Sequence, residues 1–299
     1  MASIKEKYGH LAKQMMENSK HTGPITSQSL FQESNTKNRE LVEQVLYDLV
    51  LPESSIQGYE HLQALTDHVS RGGSGLVLME HFSNFDIPCL DYLLRYRYAD
   101  GRRIADSIVS LAGMKLNVES QFVHAFTEAY TRIVIYPRRS VESIADPVER
   151  AHEEQRAKEI NHSALREMIR CKHTGRIILV FPTGTRYRPG NPDTRRVLRT
   201  VDSYIKSFDY LVFIGIAGNV LLVSESGDMT EDLVQEDVMT YQVSELVDCK
   251  AFRNEVRAEV GEEGDLKDRV ATKVREELDR AHENAERHRQ KLLAARRPE

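Results

Sequence analysis

In the stretch EHFSNFDIP, residues 80 to 88, an imidazole and a carboxylate stand five positions apart, at His81 and Asp86. If the loop folds back, the carboxylate fixes the imidazole tautomer and stabilises the imidazolium, leaving the second ring nitrogen to take a proton from a hydroxyl. The spacing also suits a plainer arrangement, with Asp86 capping the helix that DIPCLDYLLRY predicts and His81 an ordinary loop residue. In a second stretch, FPTGTRYRPG (181 to 190), Arg186 and Arg188 lie two apart in an extended segment and point to one side. Two guanidiniums aimed together repel unless an anion lies between them, and their planar forks match phosphate oxygens; an exposed basic turn is the alternative. A third stretch, RIVIYPRRS, carries Arg138 and Arg139 just before Ser140.

Each stretch follows a short apolar run. LVLM (76 to 79), RIVIY (132 to 136), RIILVF (176 to 181) and YLVFIGIA (210 to 217) are near-continuous apolar runs, as strands buried on both faces are. The charged, helix-forming segment 149 to 171 separates the second run from the third, giving the crossover of a parallel pair. The expected fold class is therefore α/β, a mixed, largely parallel sheet flanked by helices. Ligands of such sheets sit beyond the strands' C-terminal ends, so His81, the turn Arg138 to Ser140 and the turn Arg186 to Arg188 should gather at one edge. A general base beside a phosphate-sized basic pocket is the economical arrangement.

Residues 1 to 70 read as a small helical bundle domain. Leu41, Val42, Val45, Leu46 and Leu49 are spaced as one helical face ending near Pro52, and residues 54 to 70 offer a second helix. The break Arg71-Gly-Gly-Ser-Gly75 marks the boundary with an α/β domain, residues 71 to 299. That domain ends in a long helix whose stripe Leu266, Val270, Val274 and Leu278 either packs on the protein or lies on a membrane surface.

Together, His81-x4-Asp86, the FPTGTR block and the strand 211 to 217 resemble the glycerolipid acyltransferase family, with its H-x4-D box, basic middle block, Pro-x-Gly-x-Arg block and later apolar strand. The spacing of IVIYPRRS, INHSALREM (160 to 168) and FPTGTRYRP is similar to the soluble, plastid-type glycerol-3-phosphate acyltransferases, which pair a helical bundle with an α/β domain. The resemblance implies transfer of a fatty acyl group from an acyl carrier protein or coenzyme A thioester to the sn-1 hydroxyl of glycerol 3-phosphate, the first step of phospholipid synthesis, with no cofactor. It implies His81 as catalytic base, Asp86 as its orienting partner, Arg138, Arg139, Arg186 and Arg188 around the phosphate, and Ser140, Thr183 and Gly184 lining the same pocket. Ser140 stands where the plastid-type enzymes tend to have histidine. Thr183-Gly184-Thr185 replaces their Ser-Gly-Gly and leans toward the lysophosphatidate acyltransferases, so a lysophosphatidate is the alternative acceptor. A non-catalytic phosphate- or acyl-carrier-binding module is the alternative from another class. Arg195, Arg196 and Arg199 are candidate surface for the anionic carrier.

Composition sets limits. With 299 residues, 40% hydrophobic and 29% charged, the chain can order a sizeable core. A net charge of -5 disfavours nonspecific nucleic-acid binding. The longest apolar run, Leu211 to Val223, holds Gly215, Gly218 and Asn219 and is too short to span a bilayer, which leaves peripheral membrane contact. The N-terminal stretch, with Glu6 and Glu17 and no apolar core, predicts a cytoplasmic chain, or a stromal one if mature. Cys89, Cys171 and Cys249 form no CxxC pair. His124, His152, His162 and His173 lack metal-site spacing, so no metal is expected. There is no G-x-S-x-G elbow, and Gly72, Gly73 and Gly75 precede a strand instead of following one.

Overall fold

Among the described residues eleven strands follow in chain order: β1 (Phe31–Gln32), β2 (Ser55–Gln57), β3 (Gly75–Met79), β4 (Ile108–Gly113), β5 (Arg132–Ile135), β6 (Ile177–Val180), β7 (Tyr210–Ala217), β8 (Leu221–Leu222), β9 (Leu233–Val234), β10 (Thr240–Val243) and β11 (Val247–Asp248). The computed structural model that contains them describes residues 1–20, 25–114, 121–142, 144–226, 228–261 and 264–296, less the side chains of residues 121, 122, 138 and 139. Nine strands form one sheet in the order β1-β5-β4-β6-β3-β7-β10-β2, with β11 also on β7; β8 and β9 pair separately. The central strands β5, β4, β6, β3 and β7 run parallel; β1 pairs antiparallel with β5, β10 and β11 pair antiparallel with β7, and β2 pairs parallel with β10.

Alternation explains the apolar runs. Val77 and Met79 enter one apolar cluster, while Leu76 and Leu78 enter the cluster on the opposite face. The expected strands at 76–79, 132–136, 176–181 and 210–217 are β3, β5, β6 and β7, and the crossover helix spans Pro147–Lys172. That crossover passes over a strand, because β4 lies between β5 and β6.

The helices α1 (Ile4–Asn18), α2 (Thr36–Leu49) and α3 (Tyr59–Ser70) cover one face of the sheet. Leu41, Val42, Val45, Leu46 and Leu49 share a cluster with Val77, Met79 and Val212. The expected bundle of residues 1 to 70 is thus packed into the α/β unit: its segment supplies β1 and β2 to the sheet, and the break at residues 71 to 75 leads into β3 without dividing the core. The helix expected from residue 54 starts at Tyr59, since Ser55 to Gln57 pair with β10 and Gly58 turns the chain at φ 71°. The opposite face is covered by the crossover helix and by the C-terminal helix Leu266–Arg296, whose Val270, Val274 and Leu278 are buried against that face. No helix among the described residues is long and apolar enough to cross a membrane.

Candidate active site

His81 lies two residues beyond β3, and the helix α4 (Asp86–Arg97) begins at Asp86. The turn between them folds back around the Asp86 carboxylate, which is almost wholly buried. Its Oδ2 accepts from the Phe82 N–H at 2.7 Å, the Ser83 N–H at 3.0 Å and the His81 ring Nδ1 at 2.8 Å. An ionised carboxylate only accepts, so Nδ1 is the donor of this contact, and in the neutral imidazole Nε2 then keeps its lone pair. Asp86 is the first residue of α4, not its cap, and its side chain organises the loop as well as the ring. Tyr241, buried on β10, donates from its hydroxyl to the Asp86 carbonyl at 2.8 Å and pins the helix start.

The His81 ring stacks on Phe181, centroids 3.8 Å apart and planes within 9°. Phe181 directly follows the neighbouring strand β6, which pairs in parallel register with β3, so the two strand-end turns leave the sheet side by side. They are joined directly: the Tyr187 N–H donates to the His81 carbonyl at 2.7 Å. Gly184 makes the intervening turn at φ 64°, where an L side chain is strained, and its N–H donates to the Phe181 carbonyl. Thr183 is buried and donates to the Thr185 carbonyl at 2.8 Å.

Arg186 and Arg188 flank Tyr187, each Cα about 3.8 Å from its own. They differ in surroundings. The Arg186 Nη1 donates to Asp232 Oδ2 at 2.6 Å, with 10% and 1% of the two side chains exposed, whereas Arg188 is exposed and its N–H donates to the Thr194 hydroxyl. Arg186 is thus paired with a buried carboxylate, and Arg188 lies at the surface. The turn after β5 begins the short helix Arg138–Glu142, where Ser140 donates from its N–H to the Pro137 carbonyl; the side chains of Arg138 and Arg139 lie outside the described residues. That turn is on the same sheet edge, but β5 is three strands from β3, a lateral distance of ~14 Å.

A buried glutamate precedes the histidine. Glu80, 3% exposed, accepts from the Ile216 N–H at 3.1 Å and from His282 Nδ1 at 3.0 Å, with Arg275 at 3.5 Å and Arg195 at 3.8 Å. The hydrogen bond to Glu80 raises the His282 pKa above its ordinary value of 6.5, against the opposing effect of burial. Burial holds the Arg275 guanidinium below the usual arginine range, and neighbouring Arg195 adds to this. Arg195 also lies over the Tyr187 ring at 5.3 Å and pairs with Asp279 at 3.0 Å. Of the other candidate carrier contacts, Arg199 pairs with Asp265 and Asp268, and Arg196 is exposed.

Glu80, Phe181, Asp232 and His282 were not expected as parts of the site. Glu80 carries the one signal a sequence offers, a charge closing an otherwise apolar buried strand. Among the described residues no group of three His, Cys, Asp or Glu is placed to hold a metal, and all three cysteines are buried free thiols. No family model matches the sequence, and no similar protein is found among curated ones.

Proposed function

We propose that the chain is an acyltransferase that moves a fatty acyl group from an acyl carrier protein or coenzyme A thioester to the sn-1 hydroxyl of glycerol 3-phosphate. The observation that supports this most is the junction of two turns, in which the backbone between Arg186 and Arg188 is bonded to the carbonyl of a histidine whose Nδ1 is held by a buried aspartate. A phosphate anchored by that arginine turn leaves a three-carbon alcohol within reach of His81 Nε2 and converts an encounter into an oriented reaction.

In the reaction, Nε2 takes the hydroxyl proton as the oxygen attacks the thioester carbonyl, forming a carbon–oxygen bond. The tetrahedral intermediate then collapses, the carbon–sulfur bond breaks, and the departing thiolate takes the proton back from the imidazolium. Asp86 stabilises that imidazolium, and Phe181 holds the ring plane.

The test is release of free thiol by the purified chain supplied with acyl-coenzyme A or acyl carrier protein thioester and, separately, glycerol 3-phosphate, glycerol or a lysophosphatidate. The expected result is release that depends on glycerol 3-phosphate and falls at least ~100-fold in His81→Ala. Preference for the lysophosphatidate reassigns the acceptor. Release that ignores the acceptor, or an undiminished His81→Ala, refutes the reading.

A further inference from the structure

Arg186 is not free to turn. Its Nη1 is taken by Asp232, whose carboxylate is buried and whose second oxygen accepts from the Ser224 N–H at 2.9 Å. Asp232 itself is fixed by its backbone, since its carbonyl accepts from the Ile4 N–H at 2.8 Å at the first turn of α1. The flanking residues repeat the tie: Ser3 bridges Leu233, and the Val234 N–H donates to the Ala2 carbonyl. The segment carrying Asp232 is thus sewn to the start of a helix that Ser3 and Glu6 cap reciprocally.

A guanidinium has two forks, one end-on from Nη1 and Nη2 and one side-on from Nε and Nη2. A carboxylate on Nη1 spoils the first and leaves the second whole. Neither Nε nor Nη2 of Arg186 has a partner among the described residues, and neither is shut off from solvent. Because the Arg186–Asp232 pair is neutral overall, what it can offer an anion is chiefly geometry, two parallel N–H groups at fixed spacing. The unpaired charge comes from exposed Arg188.

We infer that Asp232 is a positioning residue that holds Arg186 by Nη1 so that its side-on fork receives the phosphate of the acceptor. This rests on the acyltransfer reading above and adds to it a division of work: Arg186 sets where the phosphate sits, and Arg188 attracts it. Asp232 touches no substrate. Its removal frees the guanidinium to swing, so it weakens recognition of phosphorylated acceptors and leaves the proton transfer at His81 alone.

The experiment compares the parent with Asp232→Asn, Asp232→Glu, Arg186→Ala and the double variant Asp232→Asn/Arg186→Ala in the thiol-release assay, with glycerol 3-phosphate and with glycerol as acceptors. Thermal unfolding of each variant is recorded alongside. The expected result for Asp232→Asn is a KM for glycerol 3-phosphate raised about 10-fold, the loss of one charge-assisted contact, with kcat within about twofold and glycerol turnover unchanged. Asp232→Glu keeps the charge, so the buried arginine stays paired and the fold stands; its KM should rise by less. On the Arg186→Ala background Asp232→Asn should add nothing. A parent-like KM in both Asp232 variants, an equal effect on glycerol, or additivity in the double variant overturns the positioning role while leaving the acyltransfer reading intact. A parent that shows no acceptor-dependent release overturns both.

Discussion

Replacing Asp86 by Asn separates the charge of the carboxylate from its shape. In Asp86→Asn the amide oxygen can occupy the Oδ2 position and keep accepting from the Phe82 and Ser83 N–H groups, while the amide nitrogen meets the Ser83 hydroxyl, which can accept. The loop and the Nδ1–H tautomer survive. What is lost is the attraction between a carboxylate and the imidazolium that the proposed reaction forms. At 2.8 Å and an effective dielectric constant of ~20, that attraction is at most ~6 kcal/mol, and a charge-assisted hydrogen bond by itself contributes about 1.5–3 kcal/mol. A net loss of about 3–5 kcal/mol corresponds to a fall in kcat of roughly 150- to 5,000-fold. The KM for the acceptor should change less than about threefold, since no phosphate contact is touched. Asp86→Ala is the contrast: it also strands two loop N–H groups, each costing about 1–3 kcal/mol, so its unfolding temperature should drop well below that of the Asn variant. Thiol-release kinetics with thermal unfolding on both variants decide the matter. An Asn variant that turns over within about threefold of the parent means the imidazolium is not a feature of the rate-limiting step, and the general-base mechanism fails.

Two further outcomes follow from the contacts of the C-terminal helix. The His282 pKa is raised by Glu80, so the stability this contact supplies is fully present below the unfolded value of about 6.5 and is lost as pH rises through the higher folded value. The difference in urea midpoint between the parent and His282→Gln should therefore be largest below about pH 6.5 and shrink as the pH is raised above it; a difference that stays constant as the pH rises removes the assignment. Gly215 on β7 lets the helix approach the sheet: a Cβ there would sit 2.2 Å from the His282 backbone nitrogen and 2.3 Å from the Ala281 carbonyl carbon. Backbone cannot step aside cheaply, so Gly215→Ala should lower stability by at least about 1–3 kcal/mol in urea unfolding, and an unchanged midpoint would show the contact to be looser than this.

What could be read ahead from the sequence was what is local. The central strands announce themselves because each residue of Leu76 to Met79 is buried on one face or the other, leaving no polar position to blur the run. β4 was missed because Ser110, Ala112 and Gly113 interrupt IVSLAG, and β2 because three residues with polar ends are strand only by virtue of Thr240 to Gln242 beside them. The site divides in the same way. His81 and Asp86 lie five positions apart, at the two ends of one turn, and their spacing carries the information. Arg186 meets Asp232 at a distance of 46 positions, and Glu80 meets His282 at 202. Such pairs are properties of the closed fold, and no window of sequence contains them.

The C-terminal helix shows how these remote contacts bear on function. As an amphipathic segment with basic residues near its end it could have served as a membrane-surface helix. Its stripe is already committed: Val270, Val274 and Leu278 are fully buried against the sheet, and lifting them out costs about 1.5–3 kcal/mol each. Detachment would also remove His282 and Arg275 from Glu80, leaving beside His81 a buried carboxylate whose remaining counter-charge among the described residues is the more distant Arg195. A helix that must stay in place to keep Glu80 neutralised is part of the site's frame. Any docking on lipid must therefore use another surface, or the outer, polar side of this one.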